Sequence, residues 1–409
     1  MITPSLVDLD RQLVSPEYYA DPYPFYARLR VEAPVHWSDT LGGWMVTRYD
    51  DVLSTLRDTD HFSNQGRFHA VLNPFPPEVR ARLQAFDDHF AVGLIGSDPP
   101  DHTRLRGLVN LSLTPRIVDR LRPRVQALVD TFLDAVQEQG RMDVIRDLAY
   151  PLPATVIAEL LGVPPSDRDR FKLWSEGIFA FQGTGRATPE LVEYAQTHLL
   201  AMRAFLSELL AERRLNPRDD LLTRLVEAEA AGARLTESEL LTTCVTLLTA
   251  GHETTTNLIG NGLLLLLRHP DQLGLMRDNP RLLPSAIEEC LRYESPLQRN
   301  PRRVKEDVEL RGQRLRRGDY VMQILGSANR DPVRFADPDR FDIARAAGGH
   351  VAFGFGIHFC VGAPLARLEA PIAIHTILRR FPRLALATDR PEWHHHGLLR
   401  GLKALPVTF

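Results

Sequence analysis

The chain has 409 residues, 44% hydrophobic and 25% charged, with a formal net charge of -3, a balance that suits a globular protein large enough to bury a sizeable core. That charge leaves no basic excess for neutralising phosphates, so nucleic-acid binding has no electrostatic support. Three widely separated cysteines, Cys244, Cys290 and Cys360, exclude a disulfide framework and fit a reducing compartment.

Near the start, prolines and acidic residues stand where a signal peptide would need an apolar segment, and the longest apolar run, residues 263–267, falls far short of a membrane span. A soluble, cytoplasmic protein is expected, with no membrane partner. Residues 21–47 read as a short helix followed by a β-hairpin around Leu41-Gly42. The run Asp98-Pro99-Pro100-Asp101-His102-Thr103-Arg104-Leu105-Arg106 puts His102 and Arg106 on one helix face at i, i+4 spacing. Residues 116–140, 153–161 and 190–214 carry apolar positions at helical spacing and are read as core-building amphipathic helices.

A long helix is predicted over 236–267, and in its middle Ala250-Gly251-His252-Glu253-Thr254-Thr255 interrupts an apolar stretch containing Leu247, Leu248, Leu258 and Ile259. A mid-helix threonine can bond back to its own backbone, but an adjacent acid and hydroxyl in such surroundings also suit chemistry. The helix at 284–293 holds Glu289-Cys290-Leu291-Arg292, an acid and a base at i, i+3, and stops at Ser295-Pro296. Short strands are expected at 308–310, 320–325 and 405–409, separated by a turn-rich passage from Ala328 to Phe341. In Phe353-Gly354-Phe355-Gly356-Ile357-His358-Phe359-Cys360-Val361-Gly362-Ala363-Pro364, two glycines permit positive φ and Pro364 suits a first helical turn. Cys360 therefore sits near a helix N-terminus, where orphan N–H groups favour thiolate, the form in which it would ligate a haem iron. His394-His395-His396 is not expected to hold a metal, because neighbouring side chains of an extended segment point apart. No repeat or low-complexity linker divides the chain, so residues 1–409 are expected to form a single domain.

The order F-G-x-G-x-H-x-C-x-G resembles the cysteine-ligand loop of the cytochrome P450 family, the haem-thiolate monooxygenases, and the other motifs follow in that family's order over about 22–409. The resemblance implies the cytochrome P450 fold, mainly α with a minor β region, and haem b ligated by Cys360. It implies an enzyme that uses O2 and two externally supplied electrons to hydroxylate or epoxidise an apolar small organic molecule. Ala250-Gly251-His252-Glu253-Thr254 then corresponds to the oxygen-activation groove, in which Glu253 relays protons, Thr254 donates a hydrogen bond and Gly251 leaves room for oxygen. Glu289 and Arg292 would be buried with a third partner, either Arg340 or Arg345. Two propionates buried at a cofactor edge need donors or cations, and the resemblance assigns that role to His102, Arg106, Arg302 and His358. It lines the substrate pocket with Leu247, Ala250, Leu297 and Leu398 and with the loop over 62–94.

The sequence contains no Rossmann fingerprint, flavin domain or iron–sulfur cysteine cluster, so electrons are expected from a separate ferredoxin and ferredoxin reductase. These would dock on the Cys360 side through Arg104, Arg116 and Arg367. Two alternatives are an oxidative coupling enzyme of the same family and a non-catalytic haem-thiolate sensor; a sensor has no use for the acid-hydroxyl pair. Phe355 and Pro371 depart from the family pattern, and Pro371 is expected to kink or break the helix after Cys360.

Overall fold

The longest periodic pattern becomes the longest element, the helix Glu237–Arg268, in a computed structural model that describes residues 5–182, 187–230, 235–345 and 348–409. Its start is fixed by a reciprocal cap. Thr236 Oγ1 accepts from the Glu239 N–H at 3.2 Å while the Glu239 carboxylate accepts from the Thr236 N–H at 2.8 Å, which satisfies two donors that the first turn would orphan. Leu248, Leu258, Ile259, Leu263 and Leu266 along it are buried. The helices Pro151–Leu161, Pro189–Leu215, Leu283–Tyr293 and Ala363–Arg380 pack around it. One core cluster draws residues from Leu113 to Val407.

The strands are β1 (Val35–Ser38), β2 (Gly43–Val46), β3 (Phe62–Ser63), β4 (Arg141–Asp143), β5 (Asn300–Val304), β6 (Val308–Leu310), β7 (Gln313–Leu315), β8 (Tyr320–Gln323), β9 (Ala385–Leu386) and β10 (Pro406–Thr408). The main sheet has the order β1-β2-β8-β5-β3, with β2 and β8 parallel and the other neighbours antiparallel. Along β5, Arg302 and Val304 are buried and share one face, as the period of two requires. Val304 joins the sheet's apolar core, and Arg302 is carried to the end of that face.

Several expectations are met to within a residue or two: the hairpin, the long helix, and the helix over 284–293. The single helix expected over 116–140 is instead Pro115–Arg120 followed by Arg122–Asp134, because Pro123 lacks an N–H and starts a new helix rather than continuing one. The helices Tyr49–Arg57, Gln84–Ala91 and Arg168–Phe179 were not read from the sequence. Pro371 does not break its helix, which runs unbroken from Ala363 to Arg380. Ala370, Ile372, Ala373, Ile374 and Ile377 around it are buried, and that burial outweighs the roughly 3 kcal/mol cost of an interior proline. No described helix is long and apolar enough to cross a membrane.

Candidate active site

The loop that presents Cys360 is shaped by Gly354 and Gly356, at φ 70 and 73, values that L side chains avoid. A Cβ on Gly356 would lie 2.8 Å from the Leu56 carbonyl oxygen, so this glycine gives close approach to the Tyr49–Arg57 helix. The Gly354 N–H donates to the Val351 carbonyl at 2.9 Å and the Cys360 N–H to the Phe353 carbonyl at 3.0 Å, which closes the loop just before the helix Ala363–Arg380. Cys360 is solvent-accessible, yet it is enclosed enough that burial pushes its thiol up, against the backbone N–H groups of Gly362 and Ala363 and the charges of Arg106 and Arg367. The two observations agree if the sulfur faces an interior space. The helix-start position, expected to favour thiolate, is therefore insufficient by itself; a metal cation bonded to sulfur would reverse the balance.

Two arginines and two histidines crowd one edge of this loop. His102 and Arg106 stand one turn apart on the helix Asp101–Ser112, Arg302 is on β5, and His358 is in the turn Gly356–His358. The His102 and His358 rings lie 4.2 Å apart, and Arg106 Nη1 donates to the Phe359 carbonyl, next to Cys360, at 2.6 Å. Arg302 Nη1 finds only neutral acceptors, Asn300 Oδ1 and the Pro301 carbonyl, each at 3.0 Å. His102 Nε2 is buried without a partner. Burial and the Arg302 charge push His358 down to about 2. Burial and the Arg67 charge push Arg302 down to about 9, and burial lowers His102 and Arg106 as well. Asp98 acts on Arg302 and His102 in the opposite sense, but it also accepts from Ser63 Oγ and the Asn64 N–H. Buried positive charge with so little compensation fits the two carboxylates of a haem.

On the long helix, Leu247, Ala250 and Thr254 share a face and remain partly or fully accessible although most residues on either side are buried, so this face borders a space. The Thr254 hydroxyl donates to the Ala250 carbonyl at 3.3 Å, a loose back-bond that leaves it at the wall. Gly251 has a packing role. A Cβ there would lie 2.9 Å from Ile157 Cγ1, so the missing side chain admits the helix Pro151–Leu161. Burial, then Glu176, pushes Glu253 up to about 7, with Lys172 opposing. Lys172 and Glu176 face solvent at i, i+4 on the helix Arg168–Phe179, 3.8 Å apart. In the sequence they were indistinguishable from any surface pair.

Glu289 and Arg292 are fully buried and joined by two bonds of 2.7 Å. Their third partner is Arg345, whose Nε donates to Glu289 Oε1 at 3.3 Å. Arg340 offers only its carbonyl and turns its side chain toward Asp342. Asn329, which the sequence reading left among turn formers, accepts from Arg292 Nη1 through its carbonyl at 2.9 Å. Its Oδ1 accepts from the Val351 N–H at 2.7 Å, linking the buried pair to the approach of the Cys360 loop. Leu297 and Leu398 come together where Leu297 bridges Leu399 and the Gln298 N–H donates to the Leu398 carbonyl at 2.8 Å.

Two proposed docking cations are already paired: Arg104 with Asp101 and Glu239, and Arg367 with Glu288 through two bonds of 2.7 Å. Arg116 is exposed. The three consecutive histidines diverge, His395 stacking on Tyr19 and His396 Nδ1 accepting from the N–H groups of Leu398 and Leu399. The described residues contain no cluster of metal-ligating side chains.

A family model described as Cytochrome P450 matches residues 75–403. Cytochrome P450 107B1 of Saccharopolyspora erythraea is 46% identical over 388 residues, spanning 93% of this chain and 93% of that protein. The cytochrome P450 monooxygenase PikC of Streptomyces venezuelae is 46% identical over 408 residues, 98% of this chain and 94% of its own length. Among solved structures, P450BioI in complex with acyl carrier protein ligated to hexadec-9Z-enoic acid is similar at a TM-score of 0.89 and 38% identity, covering 97% of this chain and 100% of that one.

Proposed function

The chain belongs to the cytochrome P450 family and is a haem-thiolate monooxygenase, and from that premise we propose how its own residues divide the work. When bound, the haem supplies activation of dioxygen and insertion of one oxygen atom into the substrate. Cys360 Sγ, presented by the closed loop, would hold the iron, and a cation bonded to sulfur would favour its thiolate. His102, Arg106, Arg302 and His358 would receive the propionates, and those anions would offset the burial that lowers the proton affinity of all four.

On the long helix the Thr254 hydroxyl would give up its loose bond to Ala250 and donate into the neighbouring space. Glu253, half-protonated near neutrality, resupplies the proton, and Lys172 and Glu176 connect that acid to solvent. Leu247, Ala250, Leu297 and Leu398 contact the substrate. An apolar molecule is favoured by this lining and by the fatty acyl group bound in the similar P450BioI complex. Electrons come from a separate ferredoxin and its reductase, the arrangement suggested by the likeness to bacterial cytochromes P450. The three unpaired cysteines favour the cytoplasm. One core cluster drawing on residues from Leu113 to Val407 supports a single domain.

The observation that carries this reading is the weakly compensated cation cluster bonded, through Arg106, to the loop of Cys360. The ferrous protein under carbon monoxide tests it. A red-shifted band is expected in the parent and its loss in Cys360→Ser; retention of the band in the variant rejects the ligand assignment.

A further inference from the structure

One guanidinium beside this cluster has no assigned role. Arg67 follows β3 in the loop that leads to the short helix His69–Leu72. The backbone before it is anchored, because Ser63 Oγ and the Asn64 N–H both donate to Asp98, just upstream of the helix that carries His102 and Arg106. The Tyr320 hydroxyl donates to the Arg67 carbonyl. The side chain is less well served. Its Nε is buried without a partner, and the guanidinium lies 4.6 Å from the ring of its neighbour Phe68. Its Nη1 reaches the Pro301 carbonyl at a long 3.4 Å, an oxygen that already accepts from Arg302 Nη1 at 3.0 Å.

Two guanidinium groups thus converge on one carbonyl, and among the described residues Arg67 forms no ion pair. Burial lowers Arg67 to about 10, and Arg67 in turn depresses Arg302 and His358. Two like charges brought together, Arg302 buried and Arg67 partly so, favour an anion between them. Neither Tyr320 nor the carbonyl supplies one.

We infer that Arg67 is an additional propionate-binding residue, so that the bound haem anchors the start of the loop over 62–94 as well as the strand and helix already described. The inference rests on the haem-thiolate reading. It couples cofactor retention to order in a segment expected to border the substrate pocket, since the guanidinium that meets the carboxylate is fixed to that segment by its own backbone.

The test compares the holoenzymes of the parent, Arg67→Gln, Arg67→Lys and Arg80→Gln, the last an exposed control. Transfer of ferric haem to excess apomyoglobin gives retention; spectroelectrochemical titration gives the ferric/ferrous midpoint. Arg67→Gln is expected to release haem about tenfold faster, the effect of losing one charge-assisted hydrogen bond. Its midpoint should also move to more negative potential, because a nearby cation favours the reduced form. Arg67→Lys should keep the parent midpoint and recover part of the retention, and Arg80→Gln should match the parent in both. An unchanged midpoint in Arg67→Gln, even with faster haem loss, would make Arg67 a packing residue and overturn the inference. A parent lacking the red-shifted carbon monoxide band would reject the haem-thiolate reading itself, a separate failure.

Discussion

Glu253 shows how burial changes the acidity of an ordinary side chain. Its carboxyl is pushed up to about 7, first by burial and then by Glu176, so the folded chain keeps a proton that the unfolded chain has already released. Stability contributed by that proton is complete below the ordinary glutamate value and is lost as pH rises through about 7. Glu253→Gln removes the loss. Chemical unfolding should find the variant close to the parent near pH 5 and more stable by up to about 3 kcal/mol near pH 8. A carboxamide carries no exchangeable acid, so turnover should fall by roughly 100-fold, and equal turnover would exclude Glu253 from proton delivery. Thr254→Ala should behave differently. Haem content and substrate binding stay near the parent's, while product formed per reductant consumed falls and hydrogen peroxide rises; full coupling in that variant would leave the hydroxyl with only its back-bond to Ala250.

Between elements, the Gly251 contact with Pro151–Leu161 and the buried Glu289–Arg292 pair are two junctions whose energetics can be read separately. Gly251→Ala adds a methyl 2.9 Å from Ile157 Cγ1. It should cost about 1–3 kcal/mol by overpacking, more than the roughly 1 kcal/mol that alanine gains in helix propensity. Combining it with Ile157→Val should recover part of the loss; simple additivity of the two changes would mean that the helices do not meet there. Arg292→Leu strands a buried carboxylate and should cost about 3–5 kcal/mol, read from the denaturation midpoint of the holoenzyme. Arg345→Gln should cost about 1–2 kcal/mol, because its bond to Glu289 is longer and one edge is accessible. Arg340→Gln should stay within about 0.5 kcal/mol. A larger loss at Arg340 than at Arg345 would reverse the choice of third partner.

For the whole molecule, electron delivery is a problem of surface charge rather than of site geometry. Arg104 and Arg367, expected to meet a ferredoxin, hold their charges against Glu239, Asp101 and Glu288, and a neutralised cation steers little. Arg116 is exposed on Pro115–Arg120, which packs against the helix that follows Cys360. Reduction by an acidic ferredoxin should slow as ionic strength rises. At low salt Arg116→Gln should reduce the rate several-fold while Arg104→Gln leaves it nearly unchanged. A rate independent of both salt and Arg116 would place the docking surface elsewhere.

The parts legible in the sequence are those set by local chemistry. Glycines at 354 and 356 permitted the positive φ they adopt, and His102 and Arg106 fell on one helix face because spacing alone puts them there. These motifs identified the cysteine loop and the family. Tertiary structure decided whatever depends on what packs alongside. It selected Arg345 over Arg340, set Ile157 against Gly251, kept the helix through Pro371 intact, and raised Cys360 where its helix position alone favoured the thiolate. It also brought Arg67 to the carbonyl that Arg302 occupies, and Lys172 and Glu176 to the neighbourhood of Glu253. The physical reason is common to these cases. Backbone preference and side-chain spacing are properties of a few consecutive residues, whereas burial, charge compensation and close packing are set by chain segments tens to hundreds of positions away, whose approach no local pattern encodes.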